Sequence, residues 1–128
     1  MAAGARRRAR WFALQVLYAL DVNPDVGVQD AIVQYRAMFE LDLDERAAEF
    51  AHTLIRNTHE HLLEIDDLIQ TTSRNWRLDR MSRVDRNILR LAAYELRHVP
   101  DVPVKVAINE AVEAAKRFGT AESRRTKS

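Results

Sequence analysis

The chain has 128 residues, no cysteine and a formal net charge of +1, with 47% hydrophobic and 30% charged residues. This balance is typical of one globular domain with a single core, and the lack of cysteine excludes disulfides and thiolate metal sites. No stretch approaches the roughly 18 apolar residues of a membrane span and no secretory signal pattern is present, so we expect a cytoplasmic protein without membrane contact.

The basic charge is concentrated at the two ends of the chain. Residues 1–10 contain four arginines and no acid, and residues 123–128 contain three basic residues and no acid. The residues between them hold 13 basic side chains against 19 acidic ones. This asymmetry indicates an anionic partner that binds at a local basic site. It does not favour a partner attracted by the charge of the whole surface.

Residues 6–20 are predicted to form a helix, and Asn23 and Pro24 prevent it from continuing. Helical spacing gives one apolar stripe, the expected core face, made of Ala9, Phe12, Ala13, Val16, Leu17 and Leu20. A second stripe carries Arg7, Trp11, Leu14 and Tyr18, with Arg10 at its edge. Because arginine forks suit phosphates and aromatic rings stack on bases, this stripe indicates an exposed surface for single-stranded RNA. Packing against a later helix is the alternative for Leu14.

The rest of the chain is predicted to be helical, because no segment alternates like a strand. We expect a short helix over Val28–Leu41, whose apolar face is Ala31, Ile32, Tyr35, Met38 and Phe39. A long helix from Glu45 to about Thr72 follows, with a break near Asn57 as an alternative and Asp44 as a plausible N-cap. Residues 73–80 are predicted to form a tight turn or a short helix.

A central helix is predicted to begin after Ser82, whose spacing to Asp85 fits a capping box, and to end before Pro100. Its apolar residues cover about half the circumference: Val84, Ile88, Leu89, Leu91, Ala92, Ala93 and Leu96. Glu95 falls on this apolar side, where an arginine or backbone amides should satisfy its carboxylate. Pro103 suits the first turn of a further helix that closes at Gly119.

Residues for catalysis or metal binding are not grouped in the sequence. The four histidines lack metal-ligand spacing, and the three glycines lie too far apart for a phosphate-binding loop. Asp66 and Asp67 diverge by about 100° on a helix and favour a solvated face over a catalytic pair. We therefore predict no enzyme activity, no metal and no cofactor.

Three segments resemble the NusB family of bacterial transcription antitermination factors, and the likeness extends to about Ser123. They are the arginine run 6–10 with the following residues 13–18, the segment from Val84 through Leu96, and the ungapped residues 101–119. The resemblance implies an all-α, NusB-like fold of two packed helical bundles in a single RNA-binding domain. We place the first bundle at about 6–72, the second at about 75–119 and a basic tail at 120–128.

The family resemblance also implies a function and a set of site residues. Members pair with ribosomal protein NusE and hold boxA-type RNA of nascent ribosomal or phage transcripts, which helps the elongating RNA polymerase to pass terminators. Carried over by position, the implied RNA-binding residues are Arg6, Arg7, Arg8, Arg10, Trp11, Lys116, Arg117, Gly119 and Glu122. The implied partner-binding residues are Leu14, Tyr18 and Asp85, although Asp85 has the alternative of acting only as the capping acid.

The chain departs from the family pattern after Ser123. Family members continue into a final apolar helix, whereas this chain reads RRTKS and stops. We therefore expect the usual final helix to be missing, with a destabilised second bundle, a compensating homodimer or a truncated sequence as open alternatives. A NusB-like recognition module for ribosomal RNA processing and a purely protein-binding helical module remain alternative functions.

Overall fold

The computed structural model describes residues 3–39, 42–72, 77–99, 101, 103 and 111. Within these residues the secondary structure consists of five α-helices and a single 3₁₀ turn, with no strand, which confirms the all-α prediction. The chain divides into two compact units, Met1–Glu60 and His61–Ser128. None of the described helices combines the length and the apolarity that a membrane crossing requires.

The first unit contains α1 (Ala3–Val22), α2 (Val28–Met38) and α3 (Glu45–Glu60). The helix α1 packs against both of the others, and α2 also packs against α3. All six residues of the predicted α1 core stripe are buried, which confirms that its period was assigned correctly. The side chain of Asp44 accepts a 2.8 Å hydrogen bond from the Ala47 amide, so the predicted cap of α3 is also confirmed.

The second unit contains α4 (Leu62–Thr72), a 3₁₀ turn at Leu78–Arg80 and α5 (Arg83–His98), and α4 packs against α5. The predicted cap of α5 is present, because Ser82 Oγ accepts a 3.1 Å hydrogen bond from the Asp85 amide. The last turn of α5 closes with a 3.1 Å bond from the Val99 amide to the Glu95 carbonyl. Glu95 is buried, as its position on the apolar side required.

Several predicted boundaries differ from the structure. The helix α2 ends at Met38 rather than Leu41, and the expected long helix divides at His61 rather than near Asn57. The apolar period runs unbroken through this point, so periodicity alone does not reveal the division. The first compact unit ends at Glu60, and α4 belongs to the second unit.

Two residues assigned to apolar faces are exposed. Met38 and Leu96 have exposed fractions of 58% and 44%. The further helix expected after Pro103, the basic tail at 120–128 and the expected absence of a final helix concern residues outside the described ranges.

Candidate nucleic-acid interface

The four arginines of the N-terminal run all lie on the first turns of α1, but their environments differ. Arg7 is exposed, Arg6 and Arg8 are half-buried, and Arg10 is buried with an exposed fraction of 5%. The first turn of α1 contains no acidic side chain. This end of α1 therefore presents basic charge in which Arg7 is the member most open to solvent.

Arg8 is tied to the loop between α2 and α3. Its Nε donates a 3.0 Å hydrogen bond to the Asp42 carbonyl, and Arg36 from α2 donates an equally long bond to the Leu43 carbonyl. Residues 42–44 are not helical, so their carbonyls need other hydrogen-bond donors, and the two guanidinium groups supply them. Two arginines from different helices thus hold the same loop, and part of the donor capacity of Arg8 is used there.

Arg6 and Arg10 both lie over the ring of Phe50 on α3. The guanidinium carbons are 5.2 Å and 5.6 Å from the ring centroid, within the range of a cation–π interaction. Phe50 was not among the residues singled out in the sequence. Its position in the sequence could have identified it. Phe50 lies one turn from Ala47 and next to Ala51, which are both buried, so it falls at the edge of the face of α3 that packs on α1.

The second stripe of α1 is only partly exposed. Trp11 and Tyr18 are half-buried, so each has part of its surface available for contact. Leu14 is buried with an exposed fraction of 3%, in agreement with the packing alternative, and Arg10 is buried as well. The expected continuous exposed surface is therefore interrupted at Arg10 and Leu14, and Arg7 with the outer parts of Trp11 and Tyr18 remains.

The pKa of His52 on α3 departs from its usual value. Burial lowers the pKa of His52 below 6.5, and the nearby positive charges of Arg56 and Arg36 lower it further. Its ring also lies 6.5 Å from that of Phe12, centroid to centroid. The packing of the first unit therefore favours the neutral form of His52.

The remaining predicted site residues belong to the second unit. Asp85 is half-buried in the first turn of α5, where its amide takes part in the cap. Lys116, Arg117, Gly119 and Glu122 lie outside the described residues. Among the described side chains, no three of the His, Cys, Asp and Glu type are grouped to hold a metal ion.

The second unit also contains a charged cluster that corrects a prediction. Asp66 does not lie on a fully solvated face, because its carboxylate accepts two hydrogen bonds from Arg90, at 2.7 Å and 2.8 Å. The pair borders an open cleft of about 690 Å³ lined by Asp66, Asp67, Gln70, Arg77, Leu78, Asp79, Arg86 and Arg90. Three acids among these residues offset the three arginines, so the charges that line this cleft balance.

The model of the NusB family matches residues 7–126. The chain belongs to the NusB family. It is 48% identical over 121 residues to the transcription antitermination protein NusB of Myxococcus xanthus, with 94% of this chain and 86% of that protein covered. The NusB of Trichlorobacter lovleyi is also 48% identical, over 120 residues that cover 94% of this chain and 82% of the relative.

Solved NusB structures share the fold. NusB of T. maritima is 40% identical and superposes with a TM-score of 0.78, covering 88% of this chain and 78% of its own. A crystal structure of antitermination factors NusB and NusE in complex with dsRNA superposes with a TM-score of 0.80 at 25% identity, covering 91% of this chain and 85% of the other. The NusB-like fold predicted from the sequence is thereby confirmed.

Proposed function

We propose that this protein is a transcription antitermination factor that binds boxA-type single-stranded RNA together with ribosomal protein NusE, without catalysing a reaction. The observation that carries the proposal is the arginine cluster at the start of α1, where Arg7 is exposed and Arg6 and Arg8 are half-buried. Arginine suits this role because its planar fork binds phosphate oxygens in pairs. Relatives named as antitermination proteins support it.

The electrostatics of α1 favour an anionic partner at this end. The start of a helix carries a partial positive charge from its unpaired amides, so cations there cost about 0.3–1 kcal/mol each relative to neutral residues. Arg6 lies in this first stretch, and the first turn contains no acidic side chain. A bound phosphate would relieve this repulsion. The arrangement therefore favours a ligand that carries phosphates, such as RNA.

NusE enters the proposal through a structural relative. A solved neighbour contains NusB and NusE in complex with dsRNA, and the present chain covers 85% of the superposed chain. The half-buried Tyr18 on α1 and Asp85 on α5 are the proposed contacts, since both have surface left for a partner. Leu14 is proposed to act from beneath this surface by supporting α1, because it is buried.

The proposed action requires binding alone. The pair with NusE would hold nascent RNA near the elongating RNA polymerase, which places the protein in the cytoplasm, where bacterial transcription occurs. From the family resemblance, Lys116, Arg117, Gly119 and Glu122 are proposed to take part in RNA binding as well.

A titration of labelled boxA-type RNA and of a scrambled RNA of equal length, with and without NusE, tests the proposal. We expect tighter binding of the boxA-type RNA and a further gain when NusE is present. Affinity should fall with salt, with a slope of about −0.7 per phosphate contact for a single strand. Equal binding of both RNAs under all conditions would contradict a specific antitermination role.

A matched pair of variants locates the surface. Arg7→Ala should lower the salt slope by about 0.7, the value of one phosphate contact, and leave the fold intact because the side chain is exposed. Arg97→Ala removes the same charge from an exposed position on α5 and should leave RNA affinity unchanged. If instead the protein captures the same partners after ribonuclease treatment and crosslinks to no RNA, the function is that of a protein-binding module.

A further inference from the structure

The ring of Phe50 links two arginines of α1 that differ in burial. Arg10 is buried, Arg6 is half-buried, and both guanidinium groups lie over this one ring. Arg6 and Arg10 are four residues apart, so they are neighbours on the same face of α1 and their like charges repel. An aromatic face compensates such charges, because the negative potential above the ring attracts cations.

The contact also restricts how the arginines move. Arg10 is immobilised by burial, and it fixes the position of the Phe50 ring that it covers. The ring then holds the guanidinium of Arg6 at 5.2 Å. A side chain that is already ordered loses less conformational entropy when it binds a ligand, and the stacking contact with a ring does not itself use the N–H groups of a guanidinium.

We propose that Phe50 is a positioning residue of the RNA surface, which orders Arg6 for a phosphate of the bound RNA through a contact braced by Arg10. This inference rests on the proposed RNA binding. It separates the roles within the arginine run: Arg6 is pre-ordered by the ring, Arg8 is tied to the loop at Asp42, and Arg7 is exposed.

The test compares RNA affinity among variants of the full chain. Phe50→Leu keeps an apolar side chain and removes the ring, so the Kd for boxA-type RNA should rise about three- to tenfold, equivalent to about 0.7–1.4 kcal/mol. Phe50→Tyr retains the aromatic face and should keep the native affinity. Phe39→Leu is the matched control: its ring meets Phe12 edge-on at 5.2 Å, so the same change should affect stability without changing RNA affinity.

A double-mutant cycle with Arg6→Ala distinguishes positioning from general destabilisation. If Phe50 acts through Arg6, Phe50→Leu should weaken RNA binding in the native background but not in the Arg6→Ala background. In the free protein, the NMR signal of the Arg6 Nε–H should lose its ring-current shift in Phe50→Leu. Thermal unfolding confirms that each variant is folded during the titrations.

The outcomes separate this inference from the proposed function. If the native chain binds no RNA, both are overturned. If the native chain binds RNA and Phe50→Leu binds it equally well or more tightly, only the positioning role is overturned, because the ring then either does not affect Arg6 or withholds it from RNA. Equal losses from Phe50→Leu in both backgrounds would likewise contradict action through Arg6.

Discussion

The ion pair between Arg90 on α5 and Asp66 on α4 is expected to make a large contribution to the stability of the second unit. The guanidinium donates two parallel hydrogen bonds, Nε to Oδ1 at 2.7 Å and Nη2 to Oδ2 at 2.8 Å. The side chains are 10% and 26% exposed. Replacing Asp66 by Asn keeps the size of the side chain, removes its charge and deprives Arg90 of the Asp66 carboxylate.

The expected loss follows from this geometry. Removing one partner of a fully buried ion pair costs about 3–5 kcal/mol, because the remaining charge is left desolvated. Water reaches part of Asp66 and compensates some of that cost, so we expect Asp66→Asn to lower the free energy of unfolding by about 2–3 kcal/mol. At about 3–4 °C per kcal/mol for a chain of this size, the Tm should fall by about 6–12 °C.

Urea unfolding of Asp66→Ala, Arg90→Met and the double variant measures the coupling between the two side chains. We expect a coupling energy above about 1.5 kcal/mol, since each charge-assisted hydrogen bond contributes about 1.5–3 kcal/mol. The exposed pair Arg97–Glu64 joins the same two helices at 3.1 Å, with side chains 53% and 45% exposed, and should couple by less than about 1 kcal/mol. A coupling for Asp66–Arg90 no larger than that of this control would refute the reasoning.

Three further predictions concern single side chains. Ser82→Ala removes the cap of α5 and should cost about 1 kcal/mol in urea unfolding, while Ser82→Asp should largely retain the cap. The hydroxyl of Thr58 is buried and finds no hydrogen-bond acceptor among the described residues, so Thr58→Val should raise stability by about 1 kcal/mol; a loss of stability would show that the hydroxyl is bonded. The pKa of His52 is lower in the folded chain than in the unfolded chain, so the unfolded chain takes up the proton first as the pH falls. The stability that the neutral His52 contributes is therefore complete above about pH 6.5 and is lost at lower pH. His52→Gln should therefore flatten the decrease in Tm between pH 7.5 and 5.5, and an unchanged pH profile would contradict this.

The features predicted correctly from the sequence are local ones. The core stripe of α1 follows from a spacing of three and four residues, and the caps at Asp44 and Ser82 need only residues three positions apart. Each depends on the geometry of a single helix, which the sequence specifies directly. The resemblance to the NusB family then supplied the arrangement that local geometry does not contain.

The features that sequence analysis missed depend on contacts between helices. Arg90 and Asp66 are 24 residues apart, and nothing in the local pattern around Asp66 distinguishes a solvated carboxylate from one that pairs with another helix. Phe50 is likewise tied to Arg6 and Arg10 only because α3 packs on α1. The division at His61 was placed incorrectly for a related reason, since the apolar period of the two helices is continuous across it.

The roles within the arginine run can nevertheless be derived once the core direction of α1 is known. Ala5 and Ala9 are buried one turn apart, so they point toward the core. At about 100° per residue, Arg7 then points about 180° away, which agrees with its exposure. Arg10 lies about 120° from the core direction and should be largely exposed on an isolated helix, yet it is buried. Its burial and its place over Phe50 are tertiary effects, so the helix alone explains why Arg7 faces solvent, whereas the packing of α3 determines how Arg6 and Arg10 are held.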